Sequence, residues 1–410
     1  MRILHTSDWH LGKMLENISR LDEQIEFIDH LCDICEQEQI DLIIIAGDIY
    51  DTFNPSAKAQ ELFYSAVDRL NANGKRAVVV ISGNHDSPDR LCAASNLAYR
   101  QGIFIVGSPN EDVAKKFGCE LNKNVTNSSI RLISSGEGWL EISIEGFAHN
   151  IIIATLAYPS ESRLKEVLTK SGEQEVMQKA YSQKVGEVLD LLSQKFRDDT
   201  VNIVVSHLFM LGGKESDSER TLQVGGALTV RAEKLPKNAH YIALGHLHRP
   251  QKVSGCKSPT YYSGSPLAYS FGESGYSKVV YIVDAKPCNE AVVKEKVLDC
   301  GKRLATWSVD SIEQAVQWAR DGKDRNAWVD LEIKTDRVLT QDEQRTLKKL
   351  HSGIVNIRPI LLDSEEEFTF DSLREGRKVD ELFTDFYKSR MGIAPSDELI
   401  NTLLEVLEEE

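Results

Sequence analysis

Two uninterrupted runs of apolar, largely β-branched residues constrain the fold of this chain more than any other feature. They occupy positions 42–45 and 77–81, and amphipathic stretches of helical period precede them at 21–36 and 56–70. Apolar strands that alternate with helices are typical of a sheet whose two faces are both covered. Together with a short strand that begins at Ile3, the pattern predicts an α/β fold around a buried sheet.

Further short apolar runs continue this pattern to about residue 300, after which it restarts. A candidate capping box at Ser311 and Gln314, and another at Thr340 and Glu343, each mark the start of a helix. Two stripes of helical spacing then follow an acidic stretch near the end of the chain. We therefore predict a main domain at 1–300, a small α/β domain at 301–365 and C-terminal helices at 366–410.

The net charge of -15 argues against a protein that simply coats nucleic acid, which needs a broad basic face. Much of the acidity is local, because residues 363–410 hold 15 acidic and 5 basic side chains. No apolar run approaches the roughly 18 residues that span a bilayer, and the polar start of the chain does not resemble a signal peptide. These features predict a cytoplasmic protein with no membrane segment.

Five polar motifs each follow a predicted strand. They are Asp8-Trp9-His10, Gly47-Asp48-Ile49-Tyr50-Asp51, Gly83-Asn84-His85-Asp86, Ser206-His207 and Gly245-His246-Leu247-His248. Since ligands of open α/β sheets bind at the carboxyl ends of the strands, all five motifs are expected at one edge. Any one of them alone would more often be structural, but five in this arrangement indicate a functional site.

The residue types in these motifs suit a pair of divalent metal ions. Carboxylate and amide oxygens with neutral imidazoles favour manganese, iron or zinc over calcium. Asp8 and His10 are expected on one side of an extended segment, and Asp48 is the candidate to bridge two ions. The glycines before Asp48, Asn84 and His246 are expected to permit a tight turn at each strand end.

Cys32 and Cys35 offer a competing interpretation as a redox or zinc pair. No second pair of cysteines completes a zinc site, and the seven cysteines of the chain form no framework. The two thiols also fall at helical spacing with Ile25 and Ile28, which predicts that they face the core. We therefore interpret them as structural residues of a protein from a reducing compartment.

The five motifs resemble those of the calcineurin-like metallophosphoesterase superfamily and, within it, the SbcD family of bacterial nuclease subunits. The resemblance covers the whole chain and implies a four-layer α/β (α+β) sandwich with a small α/β cap domain and C-terminal helices. It implies one ion on Asp8, His10, Asp48 and His248. It implies a second ion on Asp48, Asn84, His207 and His246, with manganese as the expected metal.

The resemblance further implies that His85 is a catalytic histidine near the scissile phosphate rather than a ligand. In this role His85 would donate a proton to the leaving 3′-oxygen or steady the phosphate. The sequence departs from archaeal and eukaryotic relatives at Asp51, where those relatives have histidine, and the role of Asp51 is left open. Candidate DNA contacts are Lys13, Lys58 and Arg90, although solvated surface charges are the commoner interpretation of such residues.

The activity implied by the resemblance is that of a DNA exonuclease on duplex ends and an endonuclease on single strands and hairpins, in DNA repair and recombination. The implied partners are DNA, a coiled-coil ATPase of the SbcC type, and a second copy of this chain within a heterotetramer at the nucleoid. Two alternatives remain: a phosphoesterase for a small molecule or phosphoprotein, and a non-catalytic scaffold. The first is disfavoured by the 110 residues after the main domain, and the second by the complete ligand set.

Overall fold

The chain divides into two compact units, Met1–Gly301 and Lys302–Glu410. The computed structural model describes residues 1–117, 129–164, 174–219 and 228–361, together with positions 383–384, 387, 395–396 and 399–400. Both predicted C-terminal helices fall almost entirely outside these residues. Within the part that is described, no helix is long and apolar enough to cross a membrane.

The first unit contains a six-stranded mixed sheet built around the apolar runs. In spatial order its strands are Val292–Val297, Val279–Asp284, Arg2–Thr6, Leu42–Ala46, Ala77–Ile81 and Ile103–Val106. The last four strands are parallel, and the first two are antiparallel additions at one edge. The strands at 42–46 and 77–81 are fully buried, as their composition predicts.

A seven-stranded mixed sheet packs against the first. Its order is Gln251–Lys252, Thr260–Tyr262, Tyr241–Gly245, Val201–His207, Ile151–Leu156, Trp139–Ile144 and Ile130–Gly136. The four strands between Thr260–Tyr262 and Ile151–Leu156 are parallel, and the outer strands are antiparallel. Two-stranded ribbons pair Met14–Leu15 with Ile18–Ser19 and Phe209–Met210 with Thr229–Val230.

Helices cover the outer faces of both sheets and complete a four-layer sandwich. Leu21–Gln37 and Ala57–Asn71 bury Phe27, Leu31 and Phe63 against the first sheet. Gln174–Ser193 buries Tyr181 and Val185 against the second. A third apolar cluster lies between the sheets. The other helices of this unit are Pro88–Leu91, Ser95–Tyr99, Val113–Phe117 and Glu161–Leu164, with 3-10 turns at Ala232–Lys234 and Phe271–Glu273.

The second unit has a three-stranded parallel sheet, Arg303–Val309, Ala327–Thr335 and Ile354–Leu361, with helices Ile312–Arg320 and Gln341–Leu350. Thr340 and Glu343 form the predicted capping box. At the other helix Ser311 accepts from the Gln314 N–H, but the Gln314 side chain accepts from Asp310 instead of Ser311. The first strand was missed because charged and apolar residues mix at its start.

Close packing of the two sheets explains the glycine that precedes His246. A Cβ at Gly245 would lie 1.9 Å from the Ala46 carbonyl oxygen and 2.8 Å from His207 Nδ1. Similarly, a Cβ at Gly83 would lie 2.1 Å from Asp48 Oδ1, and neither glycine has a positive φ. The predicted tight-turn role therefore holds for Gly47, at φ 92°, while Gly83 and Gly245 serve close approach.

Gly245→Ala is expected to lower the stability of the metal-free protein by about 1–3 kcal/mol or more, because the added methyl group must displace backbone. Gly275→Ala is the matched control, since a Cβ there meets nothing within 4 Å. The midpoint of thermal unfolding measures the difference. Equal midpoints for the two variants would contradict this account of the sheet contact.

Candidate metal centre

The strand ends that carry the five motifs converge at one edge of the sandwich. Backbone hydrogen bonds join them, from Asp8 N to Gly47 O and from His10 N to Asp48 O, each at 3.0 Å. The His246 N–H donates to Asp8 Oδ1 at 3.0 Å and so connects the two sheets. Motifs that are up to 240 residues apart in sequence therefore meet through main-chain contacts.

Four of the seven predicted ligands have left-handed backbone conformations that are uncommon for residues other than glycine. The φ angles are 52° at Asp8, 45° at His10, 50° at Asp48 and 110° at His246. The expectation that Asp8 and His10 lie on an extended segment was therefore wrong. Their side chains meet because the backbone turns at each residue, and such strain is common at functional sites.

One group of potential ligands consists of Asp8, His10 and His248. All three are buried, and one potential ligand atom from each lies within 4.8 Å of the others. His10 Nε2 and His248 Nε2 are 3.0 Å apart. This is the distance at which two imidazole nitrogens can face a common ligand.

A second group consists of Asp48, His207 and His246, again with ligand atoms within 4.8 Å of one another. Asn84 completes it, since its Oδ1 is 2.9 Å from His207 Nε2 and 3.1 Å from His246 Nδ1. The structure thus brings together all seven side chains that the sequence indicated. They form two adjacent clusters of histidine and aspartate that are compatible with a two-metal site.

Asp48 lies between the two groups. Its Oδ2 atom is 3.7 Å from His10 Nε2 and 3.4 Å from His207 Nε2, which belong to different groups. Its Oδ1 atom accepts a hydrogen bond from the His85 N–H at 2.9 Å. A carboxylate in this position can contact both members of an ion pair about 3.5–4 Å apart.

Hydrogen bonds to the far side of two imidazoles fix which nitrogen is free. His207 Nδ1 is 2.9 Å from the Ala46 carbonyl oxygen, which can only accept, so Nδ1 carries the proton. His85 Nδ1 likewise donates to the Asp51 carbonyl oxygen at 2.6 Å. In both residues Nε2 therefore keeps its lone pair when the ring is neutral.

Asp51 lies beside the first group and within reach of His85. Its Oδ1 atom is 3.4 Å from His10 Nδ1 and 2.9 Å from Lys13 Nζ. His10, Asp51 and His85 form a third group that could hold an ion. Lys13 is thus next to the cluster but already paired, whereas Lys58 and Arg90 are exposed on the helices Ala57–Asn71 and Pro88–Leu91.

Burial and mutual charge shift the pKa values of these groups in opposite directions. Burial lowers the pKa of His10 and His246 to about 3, so both rings are neutral at physiological pH. Burial raises the pKa of Asp8 to about 6. At His207 burial is outweighed by the charge of Asp48, which raises the pKa to about 9, while the pKa of Asp48 falls well below its usual value.

The chemistry of these side chains fits a pair of divalent cations. The donors are imidazole nitrogens and carboxylate or amide oxygens, a set preferred by borderline metals such as manganese, iron and zinc. Buried nitrogens that face each other at 3.0 Å, as in His10 and His248, gain little from one another when both rings are neutral. A cation between them would use both lone pairs.

Metal uptake is expected to release about one proton per chain at pH 7.5, because His207 must lose its proton to become a ligand. Affinity should therefore rise about tenfold per pH unit between pH 6 and 9, and fall more steeply below pH 6 as Asp8 is protonated. Calorimetric titrations with Mn²⁺ in buffers of different ionisation enthalpy measure the released proton. Uptake without proton release would contradict the pKa of His207.

Cys32 and Cys35 do not support the competing redox interpretation. Both are free thiols in the helix Leu21–Gln37, and Cys35 is buried. Burial raises the pKa of Cys35 to about 12 and also raises that of Cys32, which makes both thiols poor nucleophiles. The expectation that Ile25 shares their buried face was wrong, since it is 41% exposed.

Several residues that support the site were missed in the sequence. Asp86 accepts from the backbone N–H groups of Ile49, Tyr50 and Gly83, and so ties two motifs together. The position of Asp86 inside the Gly-Asn-His-Asp motif was the available signal. Arg163 donates to the carbonyl oxygens of Gly83 and Asp86, and nothing local in its sequence marks this role.

The four-layer sandwich and the paired histidine–aspartate clusters define a metallophosphoesterase. In agreement, the profile of the family described as calcineurin-like phosphoesterase matches residues 1–250, and the chain belongs to this family. A second profile, described as the type 5 capsule protein repressor C-terminal domain, matches residues 300–391.

The relatives of the chain carry a more specific name. It is 41% identical over 408 residues to SbcD of the nuclease SbcCD from Bacillus subtilis (strain 168), a match that covers 99% of this chain and 97% of the relative. The protein of the same name from Staphylococcus epidermidis is 28% identical over 417 residues, and the match covers 100% of both chains. A dimetal phosphatase from Danio rerio has a TM-score of 0.40 at 13% identity, covering 72% of this chain and 96% of that one.

Proposed function

We propose that this chain is the nuclease subunit of a DNA repair complex, a metal-dependent hydrolase of DNA phosphodiesters. The observation that carries the hydrolytic part is Asp48 Oδ2, which lies between two clusters of potential metal ligands. The choice of DNA rests on the Bacillus subtilis relative, part of a nuclease by name, which matches almost the whole chain. The proposed actions are exonuclease cutting of duplex ends and endonuclease cutting of single strands and hairpins.

In this proposal Asp8, His10, Asp48 and His248 hold one ion, and Asp48, Asn84, His207 and His246 hold the other. The donor set and the neutral state of His10 and His246 support manganese as the metal. A pair of such ions activates a water for in-line attack on phosphorus and stabilises the charge that develops on the phosphate oxygens. The strained backbone and the Asp86 contacts hold the ligands in place before substrate arrives.

His85 is proposed to act on the substrate rather than on the ions. Its Nδ1 proton is held by the Asp51 carbonyl oxygen, which leaves Nε2 to contact the phosphate or to donate to the leaving oxygen when protonated. His85 is 6% exposed, and its ring centroid lies 4.7 Å from that of His10. It is therefore adjacent to the proposed metal centre without belonging to either four-residue ligand set.

The direct test compares two substrates of the same chemistry. With Mn²⁺ the full chain is expected to degrade linear duplex DNA with free ends, and to cut bis(p-nitrophenyl) phosphate far more slowly. Duplexes with blocked ends separate exonuclease from endonuclease action. Equal preference for the small diester, with intact DNA, would favour the alternative of a small-molecule or phosphoprotein phosphoesterase.

The remaining proposals concern assembly. The domain of 301–365 is proposed to cap the nuclease domain of 1–300, and the apolar stripes of 366–410 to dock the coiled-coil ATPase. We also propose a homodimer within a heterotetramer that works in the cytoplasm at the nucleoid. In the full chain, Leu403→Asp is expected to abolish capture of the ATPase while manganese-dependent digestion by the free nuclease persists.

A further inference from the structure

The segment Ser216–Glu219 lies against His248, although about 30 residues separate them in sequence. The Ser218 hydroxyl is hydrogen-bonded to His248 Nδ1. Glu219 Oε1 accepts a hydrogen bond from the His248 N–H at 2.7 Å. Both the ring and the backbone of one predicted metal ligand are thus held by the same short segment.

A buried ion pair stands behind this contact. Glu273 is 0% exposed, and its carboxylate is paired with Lys278 Nζ. Lys278 also donates to the His248 carbonyl oxygen at 3.1 Å and to Ser265 Oγ at 2.8 Å. The Glu273 carboxylate accepts in turn from the Ser218 hydroxyl, so the ion pair connects to both the ring and the backbone of His248.

The proton positions in this network follow from what each group can donate. Glu273 is paired with an ammonium group and therefore acts only as an acceptor. The single hydroxyl proton of Ser218 must then point to Glu273, which leaves the oxygen of Ser218 to accept from His248 Nδ1–H. With its proton on Nδ1, His248 presents a lone pair at Nε2, the atom that lies 3.0 Å from His10 Nε2.

We propose that Ser218 and Glu273 are positioning residues that fix the tautomer and orientation of His248 as a metal ligand. The inference rests on the proposed function, because it takes His248 to hold one of the two ions. Glu273 acts through Ser218, since Glu273 Oε1 itself is 3.6 Å from His248 Nδ1 and beyond hydrogen-bond distance. Lys278 balances the buried charge of Glu273, and Glu219 fixes the backbone at the same ligand.

The test is a Mn²⁺ titration of the full chain by calorimetry and electron paramagnetic resonance. Ser218→Ala removes the acceptor of the His248 proton, and one of the two ions is expected to bind about 10–100-fold more weakly. Ser218→Thr keeps a hydroxyl group and should restore most of the affinity. Ser308→Ala is the matched control, because Ser308 also donates to a glutamate, Glu332, in the second unit.

A second variant separates positioning from the burial of charge. Glu273→Gln is expected to weaken the same ion, and combining it with Lys278→Met, which removes the unpaired cation, should not restore tight binding. Full recovery in the double variant would reduce the role of Glu273 to charge balance and overturn its part of the proposal. Wild-type affinity for both ions in Ser218→Ala would overturn the whole inference. A wild-type chain that binds no pair of ions would instead contradict the proposed function.

Discussion

Asp48→Ala is expected to leave the chain unable to hold either ion at micromolar concentration and to abolish its phosphodiesterase activity. Asp48 Oδ2 lies 3.7 Å from His10 Nε2 and 3.4 Å from His207 Nε2, so no other described side chain can replace it between the two groups. The variant also removes the acceptor of the His85 N–H. The loss should exceed the roughly 10⁴-fold upper range that a single general acid supplies.

The measurement is the number of Mn²⁺ ions bound per chain at equilibrium, together with turnover of bis(p-nitrophenyl) phosphate and of linear DNA. Asp68→Ala, at an exposed position of the helix Ala57–Asn71, is the control for a lost carboxylate. The circular dichroism spectrum and the unfolding midpoint show whether the variant is folded. A folded Asp48→Ala protein that retains two tightly bound ions would exclude Asp48 as the bridge.

His85→Ala is expected to keep both ions and to lose about 10²–10⁴-fold in turnover, the range of a positioned proton donor. The expectation follows from geometry, because the Asp51 carbonyl oxygen holds His85 Nδ1 and turns Nε2 toward the space beside His10. The loss should be smaller for a diester with a good leaving group, such as p-nitrophenolate, than for DNA. A residue that only maintained the fold would lower both rates equally.

The alternative role for His85 is that of a ligand, since His10, Asp51 and His85 could themselves hold an ion. The metal content of His85→Ala distinguishes the two roles, with His149→Ala as the control for a histidine outside the site. If His85→Ala loses one of the two ions, His85 is a ligand and its proposed contact with substrate is wrong.

The sequence predicted the site well because its ligands follow buried strands. A run such as Ala77–Ile81 has few structures open to it, and the residues that follow such strands must emerge at one edge of the sheet. This argument placed Asp48, Asn84 and His207 together although it contained no distances. The closing antiparallel strands Val279–Asp284 and Val292–Val297 also followed from their apolar pattern.

What the sequence could not predict depends on contacts between distant residues. The left-handed turns at Asp8 and His10 are stabilised by hydrogen bonds to the Asp48 segment, and no local preference indicates them. Glu273 and Arg163 are common residue types in unmarked stretches, and they gain a role only when the fold brings them to the ligands. The tight spaces at Gly83 and Gly245 likewise arise from the approach of two sheets.

The central claim is that seven side chains from five strand ends hold a pair of ions, and anomalous diffraction from crystals grown with Mn²⁺ tests it most directly. The account predicts two peaks about 3.5–4 Å apart, with one beside Asp8, His10 and His248. The other should lie beside Asn84, His207 and His246, with Asp48 in contact with both. A single peak, or a peak coordinated by His85 in place of these residues, would contradict it.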